Sequence, residues 1–442
     1  MMEILSSMEK LHKLVGQVMA NYHLFQLKRD QWKDLKELRK IQFEKLKAVI
    51  KHAYNYVPHY HMAFSSAGVK LDDIKSFEDL RKLPLVSKHD IQKDYRNFVT
   101  NGVDVSKLPS RDTSGSTGIP LKLVSDPYPS PGSAKYPFFE CGVKLRDNFV
   151  TVWGRATSIR WGSKFTRLWG AISETIVPLF PEEKLIRILR QIKPDVLLTF
   201  PSVLLSLSSY DLSGINPRLI FAQGEVVTSH CRGVARKKFN VELYETYGSV
   251  EFGSIAFECT EHFALHILTD NVYIEVLDEN GEHVSPGERG EIVVTGLHNH
   301  MMPLIRYRIG DLGVLTDERC PCGRSWPLLK SVEGRSNDLI VLPSGRKISW
   351  LYLQRCIFYD PVFQKNLFCI SQYQLVQERL DRIVFKVVKG TNFDANLLLR
   401  IKNNIEKFFA EQGEKMEVVT QVVEEIPMER TGKRRMFISK VA

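Results

Sequence analysis

The chain has 442 residues, of which 43% are hydrophobic and 25% charged, and its formal net charge is +10. This length favours two or three compact units, and the composition is that of a soluble globular protein. No apolar run reaches the roughly 18 residues of a membrane-spanning helix. Residues 1–27 also lack the features of a signal peptide, so we expect a cytoplasmic protein.

The charge pattern and the number of cysteines indicate which cofactors and partners to expect. Basic residues are scattered, with no block of five like charges. A solvated, mildly basic surface is the plain interpretation, and attraction to polyanionic cofactors such as ATP or coenzyme A is the alternative. Because no recognition motif accompanies the charge, we do not expect nucleic-acid binding. Seven cysteines, an odd number, favour reduced thiols or a metal site over a disulfide framework.

The first hundred residues are predicted to be helical, because apolar residues recur there at helical spacing. From about Phe149 the pattern changes to short apolar runs that alternate with amphipathic stretches, which predicts an α/β sheet. The predicted strands are Phe149–Trp153, Val196–Phe200, Leu219–Ala222 and Val241–Tyr244, with a basic helix ending near Lys238 before the last of them.

After Asn271 the pattern becomes hairpin-like, with strands Val272–Leu277 and Glu291–Val294 around an Asn280-Gly281 turn. A polar stretch at 334–338 then precedes a tail that is predicted to be a small α+β domain. Its predicted elements are a hairpin over Leu339–Ile348, a helix, strands Leu367–Ile370 and Ile383–Val388, a helix Ala395–Ala410 and a strand Val418–Val423.

The first candidate binding segment is rich in glycine and hydroxyl groups. It reads Thr113, Ser114, Gly115, Ser116, Thr117, Gly118, Ile119 and Pro120. Its glycines permit tight turns, and its hydroxyl and N–H groups suit phosphate oxygens. No lysine follows Gly118, so it is not a Walker loop. A plain flexible loop is the alternative interpretation.

Two further segments follow predicted strands and carry carboxylates. Residues 244–253 (YETYGSVEFG) place Glu251 beside aromatic residues, where it suits Mg²⁺ against a nucleotide phosphate; a capping acid in a strand-to-helix turn is the alternative. Gly224 and Glu225 follow another strand, at the sheet edge where α/β proteins commonly bind ligands.

Asp311 ends the segment at 302–311 (MPLIRYRIGD). Its carboxylate suits both hydroxyls of a ribose, because a carboxylate accepts two hydrogen bonds side by side. An ordinary Gly-Asp turn is the alternative.

Four residues have the chemistry of a tetrahedral zinc site. Cys320 and Cys322 flank one proline, and Cys259 and His266 lie seven residues apart upstream. Free buried thiols are the alternative. The remaining cysteines show no partner spacing.

The order of these motifs resembles the adenylate-forming superfamily, and within it the branch of phenylacetate-CoA ligases and capsule-biosynthesis ligases. The matching segments are TSGSTGIP, YETYGSVEFG, GERGEIVVTGLHNHMMPLIRYRIGD, VEGRSND and IPMERTGKRR. The resemblance extends from about Leu35 to Phe437.

The resemblance implies a role for each matching residue. Thr113 to Gly118 would close over the ATP phosphates, and Glu251, carried with Tyr247, Gly248 and Ser249, would bind Mg²⁺. Gly224 and Glu225 would lie beside the adenine, Asp311 would hold the ribose, and Arg335 would reach the nucleotide. Lys433 would be the catalytic lysine. Cys259, His266, Cys320 and Cys322 would hold a structural Zn²⁺; His266 is preferred to His262 because its neighbours match the branch.

The resemblance also implies the architecture. The expected fold is α/β, with a helical amino-terminal segment at 1–110, an ATP-binding body with mixed sheets and an antiparallel region at 111–336, and a small mobile α+β domain at 337–442. This domain would swing near Asn337, where the family often has aspartate. It would present Lys433 for adenylate formation and another face for acyl transfer.

The implied reaction is attack of a carboxylic acid on the α-phosphate of ATP, followed by transfer of the acyl group from AMP to coenzyme A. An amine on a sugar or amino acid is the alternative acceptor, and a non-catalytic nucleotide-binding scaffold is the alternative from another class. The acid pocket is expected among residues between Tyr136 and Trp169 and in the loop near Phe221 to Gly224. Tyr136, Trp153 and Trp161 suggest an aromatic or apolar wall, and a place in the core is the alternative for these aromatic residues. A homodimer is the default oligomer.

Overall fold

The computed structural model of the protein describes residues 20–112, 121–126, 135–153, 158–160, 172–178, 180, 182–208, 210–335, 339–350, 353–358, 369–428 and 434–441. These residues divide into two structural units. Unit 1 takes its described residues from the chain up to 143 and from 246–332, and unit 2 takes them from 144–245 and from 333 onwards. Among the described residues, no helix combines the length and apolar character needed to cross a bilayer.

The helices are, in chain order, α1 (Leu35–Tyr56), α2 (Pro58–Ser66), α3 (Lys88–Lys93), α4 (Tyr136–Glu140), α5 (Glu182–Ile192), α6 (Pro201–Leu207), α7 (Ser229–Phe239), α8 (Leu353–Phe358) and α9 (Ala395–Glu411). Residues 20–30 are also helical. Short 3₁₀ helices cover Leu71–Asp73, Glu78–Lys82, Tyr95–Phe98 and Val105–Lys107.

The strands are β1 (Ser110–Asp112), β2 (Lys122–Val124), β3 (Phe149–Trp153), β4 (Glu174–Pro178), β5 (Val196–Thr199), β6 (Leu219–Gln223), β7 (Leu243–Ser249), β8 (Gly253–Glu258), β9 (Leu265–Ile267), β10 (Val272–Leu277), β11 (Arg289–Gly296), β12 (Tyr307–Thr316), β13 (Leu328–Arg335), β14 (Leu339–Val341), β15 (Lys347–Ser349), β16 (Ile370–Arg379), β17 (Arg382–Lys389), β18 (Glu417–Val422) and β19 (Phe437–Ser439).

The predicted helical character of the amino-terminal region is confirmed. Helix α1 starts where the Asp34 side chain accepts a hydrogen bond from the Glu37 N–H, a standard N-cap. It stops before Pro58, because the residue ahead of a proline disfavours helical backbone angles. Its buried face consists of Leu38, Gln42, Leu46, Val49, Ile50 and Ala53.

The antiparallel region of unit 1 is also confirmed. Strands β10, β11, β12, β13, β9, β8 and β7 follow one another in that order. Strands β10 and β11 pair antiparallel, with Val276 opposite Ile292. Gly281 lies in the turn between them at φ +83°, a left-handed conformation that glycine adopts without strain. The buried residues of β8 to β11, together with Leu329 of β13, form the core of this region.

Unit 2 contains the predicted parallel sheet. Strands β6, β5, β3 and β4 lie side by side in that order and run parallel. All four residues of β5 are buried, the pattern expected for a parallel strand with both faces covered.

The carboxy-terminal region has a sheet of its own, as predicted. Strand β16 pairs antiparallel with β17 and parallel with β19, and β17 pairs parallel with β18. The predicted hairpin is β14 and β15. Strand β16 begins at Ile370, where the predicted strand Leu367–Ile370 ends, and runs through Arg379, so the predicted bounds were wrong. The sequence misled here because β16 alternates polar and apolar residues, yet Gln374 and Gln377 are buried with them.

Candidate functional site

The β7–β8 hairpin of unit 1 carries the predicted magnesium-binding segment. Tyr247, Gly248 and Ser249 are the last three residues of β7, and Glu251 lies in the turn that leads to β8. The prediction that this segment follows the strand was wrong, because β7 continues to Ser249, which pairs with Gly253. Glycine is required at position 248, since a Cβ there would lie 2.4 Å from the Gly253 carbonyl oxygen.

A hydrogen bond joins two of the predicted nucleotide-binding residues. The Tyr247 hydroxyl donates to the Asp311 Oδ2 at 2.8 Å, and both side chains are half-buried. Asp311 lies in β12, directly after Gly310, which has φ +81°. The fold thus brings together residues 64 positions apart in the sequence. The phenol hydroxyl therefore helps to orient the carboxylate.

In unit 2, Gly224 and Glu225 follow β6, as predicted. Gly224 has φ +78°, a conformation that suits glycine. The Glu225 carboxylate accepts two hydrogen bonds from Ser202, from its N–H to Oε2 and from its hydroxyl to Oε1, both at 2.8 Å. Ser202 lies in the first turn of α6, whose N–H groups have no partner within the helix. Glu225 therefore caps this helix.

The same carboxylate also binds the carboxy-terminal segment. The Arg434 N–H donates to the Glu225 Oε1 at 3.0 Å, across 209 positions of sequence. Lys433, which precedes Arg434 in the chain, lies outside the described residues. Sequence reasoning identified Glu225 but neither Ser202 nor this contact, since nothing in the local sequence around either partner indicates the other.

Of two other predicted parts of the site, one lies outside the described residues and the other is at the end of a strand. The segment from Thr113 to Gly118, with Ser114, Gly115, Ser116 and Thr117 between them, falls outside the described residues. Arg335 is the last residue of β13.

Unit 1 brings together all four predicted zinc ligands. Cys259 follows β8, His266 lies in β9, and Cys320 and Cys322 lie between β12 and β13. The Cys259 and Cys320 sulfurs are 3.6 Å apart, and the Cys322 sulfur is 3.3 Å from the His266 Nε2. One donor atom from each residue lies within 4.8 Å of all the others.

The spacing of this cluster and the neutral state of its imidazole suit a tetrahedral metal ion. Zinc–sulfur bonds of about 2.3 Å place tetrahedral ligands roughly 3.8 Å apart, close to the spacing here. Burial, and then the charge of Arg324, lower the pKa of His266 to about 4, so its imidazole is neutral at neutral pH. Its Nδ1 is buried and has no hydrogen-bond partner among the described residues.

The three thiols of the cluster differ in acidity. Burial is the main cause that raises the pKa of Cys259 to about 12, and burial likewise raises the pKa of Cys320. Burial alone would raise the pKa of Cys322 too, but hydrogen bonds from Arg324 lower it. Arg324 is fixed by Glu140, whose Oε2 lies 2.7 Å from its Nη2. Cys322 is therefore the thiol of this cluster that deprotonates most readily.

Tyr136 fits the core alternative better than a substrate pocket. Its side chain is completely buried. Its ring packs 5.1 Å from that of Trp326 and 5.8 Å from that of Phe257, centroid to centroid. Its hydroxyl donates to the Gln31 Oε1 at 2.5 Å. Of the other two aromatic residues considered for the pocket, Trp153 stacks on Phe200 and Trp161 lies outside the described residues.

The sequence of this chain is similar to that of several known proteins. Residues 341–440 match the family model for the CapK C-terminal domain. A phenylacetate-coenzyme A ligase of Aromatoleum evansii is 30% identical over 341 residues, which cover 69% of this chain and 72% of that protein. Protein CapK of Staphylococcus aureus is 25% identical over 429 residues, which cover 92% and 90% of the two chains.

The fold is that of solved adenylate-forming ligases. A crystal structure of 2-hydroxyisobutyryl-CoA ligase, in the postadenylation state with 2-HIB-AMP, superposes with a TM-score of 0.75 at 19% identity. The superposition covers 93% of this chain and 92% of that one.

Proposed function

The chain belongs to the phenylacetate-coenzyme A ligase family, and on that premise we propose that it is an ATP-dependent, AMP-forming ligase. It activates a carboxylic acid as the acyl-adenylate and transfers the acyl group to coenzyme A.

One contact in the structure supports this proposal more than any other. The hydrogen bond from the Arg434 N–H to Glu225 joins the carboxy-terminal lysine element to the end of β6. In α/β sheets, ligands bind beyond the carboxyl ends of the strands. The family resemblance implies that Lys433 acts close to the nucleotide, and this contact holds its neighbour Arg434 at that edge of the sheet.

In the first half-reaction, a carboxylate oxygen of the acid attacks the α-phosphorus of ATP. A new bond forms between this oxygen and phosphorus, the bond between phosphorus and the bridging oxygen breaks, and pyrophosphate leaves. Catalysis requires positioning and charge stabilisation but no protein nucleophile. The ammonium group of Lys433 stabilises the negative charge that builds up around the α-phosphate.

Other residues position the nucleotide. Asp311, oriented by Tyr247, accepts hydrogen bonds from the ribose hydroxyls, and Gly224 and Glu225 lie beside the adenine. The segment from Thr113 to Gly118 covers the phosphates, and Arg335 reaches the nucleotide. Glu251 would hold Mg²⁺, which neutralises phosphate charge when it is bound.

In the second half-reaction, the thiolate of coenzyme A attacks the carbonyl carbon of the adenylate. The carbon–sulfur bond forms, the bond from carbon to the phosphate oxygen breaks, and AMP leaves. The carboxy-terminal region presents a different face for this step, so Lys433 serves adenylate formation only.

Zn²⁺ is the ion that best suits the four-residue cluster of unit 1. Three sulfurs and one imidazole nitrogen form a closed donor set, which is typical of structural zinc. The ion would connect the end of β8, the strand β9 and the loop between β12 and β13. It would contribute to folding and take no part in the reaction.

The decisive experiment measures pyrophosphate exchange into ATP with Mg²⁺ and a panel of carboxylic acids that includes phenylacetate. We expect at least one acid to support exchange, and the same acid to give a thioester when coenzyme A is added. Lys433→Ala should lower exchange by about a hundredfold or more while ATP still binds, the pattern for loss of a transition-state contact. A chain that releases no pyrophosphate with any acid is not this enzyme.

The same assay separates the two acceptors. The protein could form the adenylate but no thioester, with an amine on a sugar or amino acid consuming the adenylate instead. That result would contradict the proposed transfer to coenzyme A. Adenylate formation would then still stand.

A further inference from the structure

The Arg434 side chain is held at both ends of its guanidinium group. Its Nε donates to the Ile426 carbonyl oxygen at 3.2 Å, and its Nη2 lies 3.4 Å from the Glu182 Oε1. The side chain is only 10% exposed, and that of Glu182 is 24% exposed. A charge pair that is largely withdrawn from water is screened less than a surface pair.

Glu182 is itself oriented by neighbouring helices. It is the first residue of α5, and the Ser206 hydroxyl of α6 donates to the same Oε1 that faces Arg434. Gln372 of β16 in turn donates to the Ser206 hydroxyl at 3.3 Å. The carboxylate therefore presents a fixed oxygen to the guanidinium group.

The chain on the other side of Arg434 is anchored to the carboxy-terminal sheet. The Arg435 carbonyl oxygen accepts a hydrogen bond from the Gln374 side chain at 2.8 Å, and the Met436 carbonyl oxygen accepts one from the Leu375 N–H at 2.8 Å. Strand β19 begins at the next residue. Arg434 is therefore the point where this sheet meets α5 and the end of β6.

From these contacts we infer that Glu182 and Arg434 form a positioning pair, which aligns the Lys433 segment for adenylate formation and is released for acyl transfer. This inference rests on the proposed function. The pair does not contact the reacting atoms. Its effect is exerted through Lys433, because Arg434 is the residue bonded to that lysine and carries both the Glu225 and the Glu182 contacts.

The proposed positioning role predicts that loss of the Glu182–Arg434 pair slows only one of the two half-reactions. Adenylate formation requires the lysine at the nucleotide, so loss of the pair should slow this step. Acyl transfer uses another face of the carboxy-terminal region, so the pair must open, and its loss should not slow this step. A pair that only stabilised the fold would affect both steps together.

The test compares Glu182→Gln, Arg434→Ala and Arg434→Lys with the wild type. Carboxylate-dependent pyrophosphate exchange measures the first step, with the best acid of the panel. The rate at which coenzyme A consumes the chemically synthesised adenylate of that acid measures the second. Glu242→Gln is the matched control, because Glu242 pairs with Arg236 at 2.7 Å in the same unit but on an exposed surface.

We expect Glu182→Gln and Arg434→Ala to lower exchange about tenfold, the usual scale for loss of a charge-assisted contact. Consumption of the adenylate should stay within about twofold of wild type, Arg434→Lys should recover part of the exchange, and Glu242→Gln should change neither rate. Thermal melting shows which variants fold, and only the folded variants are compared.

Two results would overturn the positioning role: exchange within twofold of wild type in both Glu182→Gln and Arg434→Ala, or an equal fall in both half-reactions. Failure of the proposed function gives a different result, since the wild type would then show no exchange with any acid.

Discussion

At Asp311, a phenol hydroxyl helps to orient the carboxylate. The Tyr247 hydroxyl donates to Oδ2 at 2.8 Å, so this oxygen is held in place in the protein without a nucleotide. A preoriented acceptor loses less freedom on binding than a mobile one. The role proposed for Asp311 therefore depends on Tyr247 as well as on the acid itself.

Tyr247→Phe should weaken nucleotide binding and leave the chemistry largely intact. A hydrogen bond to a charged group contributes about 1.5 kcal/mol or more, so we expect KM for ATP to rise about tenfold with little change in kcat. Steady-state kinetics of the exchange reaction measure both. Tyr210→Phe, at an exposed tyrosine, is the control. An unchanged KM would mean that Asp311 does not depend on this hydroxyl.

Cys322→Ser tests the proposed zinc site at its half-buried ligand. The change removes one thiolate at almost constant volume, so we expect zinc to fall from about one ion per chain to a small fraction of that, with a lower melting temperature. Elemental analysis of the purified protein measures the ion. Cys356→Ser, at another half-buried cysteine, should retain full zinc. A wild-type protein purified without zinc, and unable to take it up, would contradict the proposal.

Among the secondary-structure elements, the β7–β8 hairpin is the one in which backbone packing bears most directly on the proposed site. The two strands approach so closely that Gly248 has no room for a side chain. Glu251 occupies the turn between them. A shift in the packing of the strands would therefore move the proposed Mg²⁺ ligand.

Gly248→Ala should reduce both stability and activity. The added Cβ would lie 2.4 Å from the Gly253 carbonyl oxygen, so the backbone must move, at a cost of about 2–3 kcal/mol. Gly287→Ala is the control: φ is +88° there but nothing lies within 4 Å of the added carbon, so only conformational strain of about 1 kcal/mol is expected. Melting temperature and pyrophosphate exchange separate the two variants. Equal effects would show that close packing at Gly248 is unimportant.

Elements with a clear local pattern were predicted well. The apolar run Phe149–Trp153 is β3 to the residue, because a buried parallel strand needs only a continuous apolar stretch. Elements that depend on distant partners were not. Gln377 is a polar residue, yet it is fully buried, and its side-chain amide pairs with the backbone of Val341.

The same limit applies to the candidate site. Glu225, Asp311 and the zinc cluster were proposed from their motifs together with the family resemblance of the sequence. The contact of Glu225 with Ser202 and that of Asp311 with Tyr247 were not predicted, since the local sequence does not indicate a hydrogen bond across 23 or 64 positions.

On the scale of the molecule, unit 1 depends on polar contacts between its amino-terminal helices and its antiparallel sheet. Asp270, in the turn between β9 and β10, is the centre of these contacts. Its carboxylate faces His23 at 2.5 Å, His298 at 3.2 Å and the ammonium group of Lys45. Gln42 of α1 adds a buried hydrogen bond of 2.7 Å to the Val272 carbonyl oxygen. The helices and the sheet should therefore unfold together.

The charge of Asp270 makes this docking dependent on pH. Burial alone would raise its pKa, but hydrogen bonds from His23 and His298 and the charge of Lys45 hold the pKa well below the usual range. A carboxyl with a depressed pKa in the folded state contributes its full stability above its unfolded pKa of about 4, and the contribution falls as pH drops towards the folded value. The wild type should therefore lose stability in acid.

Asp270→Asn removes the contribution of this charge to the stability of the folded protein. At pH 7 we expect the variant to be less stable by about 2 kcal/mol, because a largely buried pair loses one partner. The difference in melting temperature should persist from pH 7 to about pH 4 and shrink below it, because the Asp270 carboxyl of the unfolded chain protonates there while the folded one stays ionised. Asp317→Asn, at an exposed carboxylate of the same unit, should match wild type throughout. A difference that persists unchanged to pH 2 would mean that shape rather than charge holds the amino-terminal helices in place.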